Sequence, residues 1–282
     1  MFPPSFDYMA PASLDEAVAA LSGAENAKVL SGGMSLIPML KLRIVRPTTV
    51  IDISRIPGLD QITDEGDHLS IGAMVRHAQT ASSELVQQHA TALAEAAGST
   101  ADPQVRNRGT TCGSLAHADV SADQPAGALA LDATMHAASV RGTREIAAAD
   151  FFVDTLTSAL EPDEILTKIT IPKGGSSAYR KLGRHGGNTD YPIAAAAAWV
   201  QRSNGTVTSA RVAVTGVSSK PYLATGCSDV LAGSDGSEDA IAAAASHATD
   251  GVHVLEDLFA SVDYRTHLAG VYVRRAIEGA LT

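Results

Sequence analysis

Two cysteines, Cys112 and Cys227, are all that the 282 residues contain. A [2Fe–2S] centre in its usual form takes four cysteine ligands, so this chain cannot carry one in that way. It has neither a C-x-x-C pair nor histidines at zinc spacing, and no metal site is expected. Aromatic residues make up only 4% of the chain, with a single tryptophan, Trp199. Cations are in deficit: 21 Lys and Arg stand against 31 Asp and Glu, a formal charge of −10. That balance argues against a polyanion-binding surface and against nucleic acid as a partner. No apolar run reaches the roughly 18 to 20 residues needed to span a bilayer. The opening Met1-Phe2-Pro3-Pro4 has neither the basic region nor the apolar core of a secretory signal, so a cytoplasmic protein is expected. In that compartment a structural disulfide is not expected, and redox chemistry here would use an organic cofactor.

What the chain does have is 45% hydrophobic residues and length enough for two compact domains. The stretch around which it is organised is Val29-Leu30-Ser31-Gly32-Gly33-Met34-Ser35-Leu36-Ile37-Pro38. A short apolar strand enters a Ser/Gly turn that opens a helical segment, whose early proline is tolerated because a first-turn residue needs no amide donor. Such a turn can gather backbone N–H groups around a phosphate. The pattern is neither G-x-G-x-x-G nor a P-loop, and a structural Gly-Gly turn is the competing reading. A second loop, Arg106-Asn107-Arg108-Gly109-Thr110-Thr111-Cys112-Gly113-Ser114, repeats the chemistry of glycines with uncharged hydroxyls. Two such loops suit a long ligand containing a diphosphate.

Taken in order, Ser13 and Glu16 read as a capping box starting a helix that ends near Gly23. Strands at Val29 and Thr49–Ile53 flank the first loop in a β-α-β-like unit. His68–Ala73 is a strand, Val75–Ala81 a loop or brief helical turn, and Glu84–Ala97 one alanine-rich helix. Ser121 and Gln124 read as a second capping box. Thr134–Val140 and Arg144–Ile146 pair across an Arg141-Gly142 turn, and Ile165–Ile171 is a further strand. Lys173–Ser177 is the linker candidate. Beyond it Ile193–Val200 and Val207–Val214 form a hairpin across Asn204-Gly205, followed by helices at Glu238–Ala248 and Arg265–Leu281. Trp199 is expected in the core. The overall class is α+β, the C-terminal part an antiparallel sheet with helices packed on one face.

Three motifs together carry a resemblance: the Ser31–Pro38 stretch with Lys41-Leu42-Arg43, the Arg106–Asp119 stretch, and the ending Asp263–Ala276. They resemble the FAD-binding medium subunit of molybdenum hydroxylases, the group of carbon monoxide dehydrogenase and xanthine dehydrogenase. The resemblance implies an FAD-binding domain of the vanillyl-alcohol-oxidase (PCMH) type over residues 1–174, with subdomains of about 1–54 and 55–174. A carbon monoxide dehydrogenase flavoprotein-like domain over 175–282 would follow. It implies FAD as cofactor, a molybdopterin-containing large subunit and a [2Fe–2S] small subunit as partners, and a heterotrimer that pairs into a dimer of heterotrimers. Electrons would pass from the clusters through FAD to an external acceptor.

The same resemblance assigns site residues. Ser31, Gly32, Gly33, Met34, Ser35 and Leu36 would hold the pyrophosphate together with Thr110, Thr111, Gly113 and Ser114. Asp123 would hold cofactor hydroxyls, against a reading as a first-turn acid favouring the helix dipole. Leu166 would border the cofactor. Lys181 would approach the flavin or its phosphates, against a reading as a solvated strand lysine. Tyr191 would lie beside the flavin ring, behind a loop lengthened by Gly186-Gly187-Asn188. His117 is a contact rather than a base, and no catalytic side chain is expected. The family usually has two glycines where Cys112-Gly113 stands, and Cys112 reads as a small packing residue in preference to a redox thiol. Arg106 and Arg108 brace the second loop or meet a partner. Two other readings stand: a freestanding FAD-dependent oxidoreductase of similar fold, and a scaffold subunit without FAD.

Overall fold

The computed structural model describes residues 1–186 and 189–282; Gly187 and Asn188, within the loop expected to be lengthened, lie outside the described residues. Three larger sheets follow one another along the chain, with a two-stranded ribbon, Phe152–Asp154 and Thr157–Ser158, beside them. The first is parallel, with Thr49–Asp52 between Asp7–Met9 and Ala27–Leu30. The helix Leu14–Gly23 that joins the outer strands is capped by Ser13, whose hydroxyl accepts from Glu16 N, while the Glu16 carboxylate accepts from Ala12 N at 2.9 Å. The second sheet is antiparallel in the order Ile62–Asp64, His68–Gly72, Ile165–Pro172, Thr134–Ser139, Gly142–Ala147. Its central strand comes late in the chain, so residues 73–133 must leave the sheet and return, and they carry the second glycine loop.

The third sheet, also antiparallel, runs Ser176–Gly183, Pro192–Ser203, Thr206–Thr215, Tyr222–Leu223. Asn204 and Gly205 both take positive φ, 50° and 82°, which matches the right-handed twist of a two-residue hairpin. Successive side chains of the alanine strand point to opposite faces. Ala195 and Ala197 join the core of the first two sheets, while Ala194, Ala196 and Ala198 join a separate core under the helix Val262–Leu281. Both faces are therefore covered, one by this helix and the other by helices Thr91–Ser99 and Gln124–Ala130.

Several expectations are corrected. The Glu84–Ala97 segment is two helices, Glu84–His89 and Thr91–Ser99, broken at Ala90. The break frees the Ala92 amide at a new helix start, where Ser177 Oγ accepts it at 3.0 Å and ties the helix to the third sheet. Ser121 does not cap the helix Gln124–Ala130; Asp123 stands at that position without a side-chain capping bond, because both it and Gln124 are bonded elsewhere. The last helix starts at Val262 with Ser261 as its cap, and a helix Thr225–Leu231 went unanticipated. The 173–177 stretch is packed rather than free: Trp199, only partly buried, donates to Gly174 O at 2.7 Å and stacks under Arg211.

Candidate functional site: a cavity between two glycine loops

After Leu30 the first chain segment turns through Gly33, whose φ of +77° is a left-handed conformation suited to glycine. The short helix Leu36–Lys41 then begins. Among the described residues, the amides of Gly32, Gly33, Met34 and Ser35 donate to no protein acceptor. The second loop lies directly against the first. A Cβ on Gly32 would stand 2.3 Å from Arg108 O and 2.7 Å from Gly109 Cα. Ser31 Oγ completes the junction, 2.8 Å from Thr110 Oγ1 and 3.1 Å from Ala73 O.

Thr110 caps the helix Thr111–His117 through its hydroxyl, which accepts from Gly113 N at 3.2 Å. The amides of Thr110 and Cys112 have no protein acceptor among the described residues. Thr111 is different. Its amide donates to Val75 O, its hydroxyl pairs with Thr80 at 2.7 Å, and it is fully buried. Ser114 Oγ donates to Gln124 Oε1 at 2.8 Å, and Gln124 Nε2 reaches Thr100 Oγ1 at 2.6 Å and His77 Nδ1 at 3.1 Å. Burial, with Arg106 nearby, lowers His77 to about 4, so its ring is neutral. Arg106 braces this region by donating to Thr100 O and Ala101 O. Burial pushes the Cys112 thiol up to about 12, which removes thiolate chemistry at neutral pH.

Between the loops lies a cavity of about 690 Å³, within the usual range of small-molecule sites. Ser31, Gly32, Gly33, Met34, Ser35, Leu36, Thr110, Gly113, Ser114, His117, Asp123, Leu166 and Tyr191 all line it. Thr111 and Lys181 do not. Lys181 is no solvated lysine either: its side chain is 1% exposed and ion-paired to Asp123. Burial lowers the His117 pKa against the pull of Asp119, and burial raises Tyr191. The Tyr191 ring sits 5.2 Å from the Arg184 guanidinium, which also lies 4.6 Å from the Phe259 ring. Sequence reasoning missed Lys28, His77, Gln124, Asp119 and Glu164 in the lining. Gln124 gave no signal of this, because its burial and its partners Ser114, Thr100 and His77 are set by other elements of the fold.

A large cavity that combines apolar walls with polar side chains and open backbone amides suits a phosphate-bearing ligand, and comparison gives the class. Residues 4–174 match the FAD binding domain in molybdopterin dehydrogenase, and residues 177–280 match the CO dehydrogenase flavoprotein C-terminal domain. The chain is 40% identical to the carbon monoxide dehydrogenase medium chain of Hydrogenophaga pseudoflava, over 99% of this chain and 98% of that one. It is 36% identical to the nicotine 6-hydroxylase medium subunit of Paenarthrobacter nicotinovorans, over 98% of each. A solved structure of the Hydrogenophaga pseudoflava carbon monoxide dehydrogenase superposes with a TM-score of 0.95 at 41% identity, covering 100% of this chain and 99% of that one. Quinoline 2-oxidoreductase from Pseudomonas putida 86 gives 0.93 at 34% identity, covering 99% and 98%. The protein is thus an FAD-dependent oxidoreductase component. It belongs to the FAD-binding medium subunits of the molybdenum hydroxylase family. No described helix is long and apolar enough to cross a membrane.

Proposed function

We propose that this chain is the electron-relay subunit of a cytoplasmic heterotrimer, joined by a molybdopterin-containing large subunit and a [2Fe–2S] small subunit, with two heterotrimers pairing. Electrons reach it from the partner's clusters and leave to an external acceptor. Bound FAD supplies the carrier chemistry of one- and two-electron transfer. The carrying observation is the pair of touching loops whose amides at Gly32, Gly33, Met34, Ser35, Thr110 and Cys112 have no protein acceptor and which line a cavity of about 690 Å³.

The chain's own work is to bind and orient. The open amides would meet the pyrophosphate with Ser35 as a hydroxyl donor, a charge-free set that relies on hydrogen bonds and backbone dipoles. Ser31 and Ser114 would act mainly by fixing the loops, since their hydroxyls are bonded within the protein. Asp123, Leu166, His117 and Tyr191 would form the remaining walls. No side-chain base is required, because solvent can supply the protons that accompany flavin reduction. We divide the chain at 174/175, where the glycines Gly174 and Gly175 take φ of +118° and +67° before the third sheet begins. The test is purification from the native host. Flavin absorbance with iron, molybdenum and two further polypeptides supports the relay, flavin without partners points to a freestanding enzyme, and a chain that never takes up FAD removes the assignment of both loops.

A further inference from the structure

Resting on the reading of the cavity as the FAD site, the buried charges beside it say how one wall is held. Tyr179 and Lys181 are two apart on the strand Ser176–Gly183 and so point to the same face. Both converge on one oxygen of Asp123: Tyr179 OH donates to Oδ1 at 2.5 Å and Lys181 Nζ donates to it at 2.8 Å. The ammonium has three protons, and the other two go to Ser99 O at 2.7 Å and Asp190 O at 2.8 Å. Lys181 has no donor left for a ligand. Asp123 is 4% exposed, yet it lines the cavity. Both the Tyr179 and the Lys181 bond fall on Oδ1, and the Thr100 hydroxyl also lies close to the carboxylate. Oδ2 takes neither of these two bonds, in a residue that borders the cavity.

We propose that Lys181 and Tyr179 are positioning residues that clamp Asp123 through Oδ1, so that Oδ2 faces the cavity as an acceptor for a ligand hydroxyl or N–H, and that neither touches FAD. The lysine also straps Asp190, next to Tyr191, to the end of the helix Thr91–Ser99. The groups facing the carboxylate are Tyr179 and Lys181 from the strand, the Thr100 hydroxyl, which donates to Ala96 O, and Tyr191 at longer range.

The experiment measures FAD affinity of the full chain, stripped of flavin, for Asp123→Asn, Lys181→Met and the double variant from pH 8 to pH 6. Each single change weakens binding about tenfold at pH 7, as for a lost hydrogen bond to a charged group. The double variant matches the weaker single within about threefold, because both act through one carboxylate. Lys181→Met shows the steeper pH dependence, binding falling as pH drops, since burial already raises the Asp123 pKa and loss of the Lys181 cation raises it further. Effects that multiply in the double variant, or a flat pH profile in a folded Lys181→Met protein, overturn the proposal. Where Lys181→Met does not fold, Tyr179→Phe replaces it in the cycle with the same criterion of non-multiplying effects. Wild-type chain that takes up no FAD overturns instead the reading on which this rests.

Discussion

The two glycine loops look alike as sequence and behave differently as structure. The first, Gly32–Ser35, leaves its amides open among the described residues, while its Gly33 and Ser35 carbonyls accept from Ile37 and Met39 at the start of the next helix. The second commits most of its polar groups to the protein: Thr110 caps a helix, Thr111 pairs with Thr80 and Val75, and Ser114 is bonded to Gln124. One loop keeps its donors free, and the other chiefly holds it in place. Composition alone does not separate these roles, because a hydroxyl serves a ligand and a neighbour equally well. What separates them is which acceptors the rest of the fold brings within reach.

The strongest way to break this arrangement is to part the loops. Gly32→Val places a branched side chain where a Cβ would already meet Arg108 O at 2.3 Å. Backbone must move on both sides, at a cost of about 3 kcal/mol in stability, and FAD affinity falls on the order of a hundredfold as the amides lose their shared geometry. Isothermal titration and thermal melts read both; retention of wild-type affinity would show that loop contact is irrelevant to binding.

The scaffold side has its own signature in pH. His77 is buried behind the second loop with its pKa lowered to about 4, whereas in the unfolded chain it titrates near 6.5. Between these values the unfolded chain binds the extra proton, so stability rises with pH and is lost as pH falls from about 6.5 through about 4. The contribution is ~3 kcal/mol. Comparing the pH dependence of denaturant midpoints for wild type and His77→Gln isolates it from the carboxylates; identical slopes would mean that His77 is not held neutral.

Thr111→Val should separate stability from binding. It leaves the Thr80 hydroxyl buried without its partner, costing ~1 to 2 kcal/mol. FAD affinity should stay within about twofold, because Thr111 does not face the cavity. A large affinity loss with unchanged melting would return Thr111 to the ligand set.

Local signals were legible before any coordinates. The Ser13 cap, the Asn204-Gly205 hairpin and the Ser/Gly turn after Leu30 each depend on a few neighbouring residues and lie where their chemistry puts them. Glu16, though, accepts from Ala12 N rather than closing the box on Ser13 N. The helix break at Ala90 was not legible, since Ala-rich sequence favours continuity and the competing acceptor, Ser177, is distant in the chain. The alanine strand hid its two buried faces for another reason: identical side chains give no polar contrast from which to read a period of two. Lys181 and Gln124 are illegible for the same reason as Ala90, because their partners come from other elements.

The smallest effect is expected at Cys112, and it bears on the same contrast between binding and scaffold. The thiol lies inside the helix Thr111–His117, 1% exposed, with its sulfur 3.6 Å from both Ile71 O and Gly72 O. Its amide has no protein acceptor among the described residues while its side chain packs inward against the second sheet. Cys112→Ala should therefore lower stability by ~1 kcal/mol, as for a small buried group removed, and leave FAD uptake unchanged. Native protein should resist iodoacetamide at neutral pH, at Cys227 as well, since burial pushes both thiols up to about 12. Rapid labelling of Cys112 in folded protein, or a flavin that no longer binds in Cys112→Ala, would move this residue from the scaffold to the site.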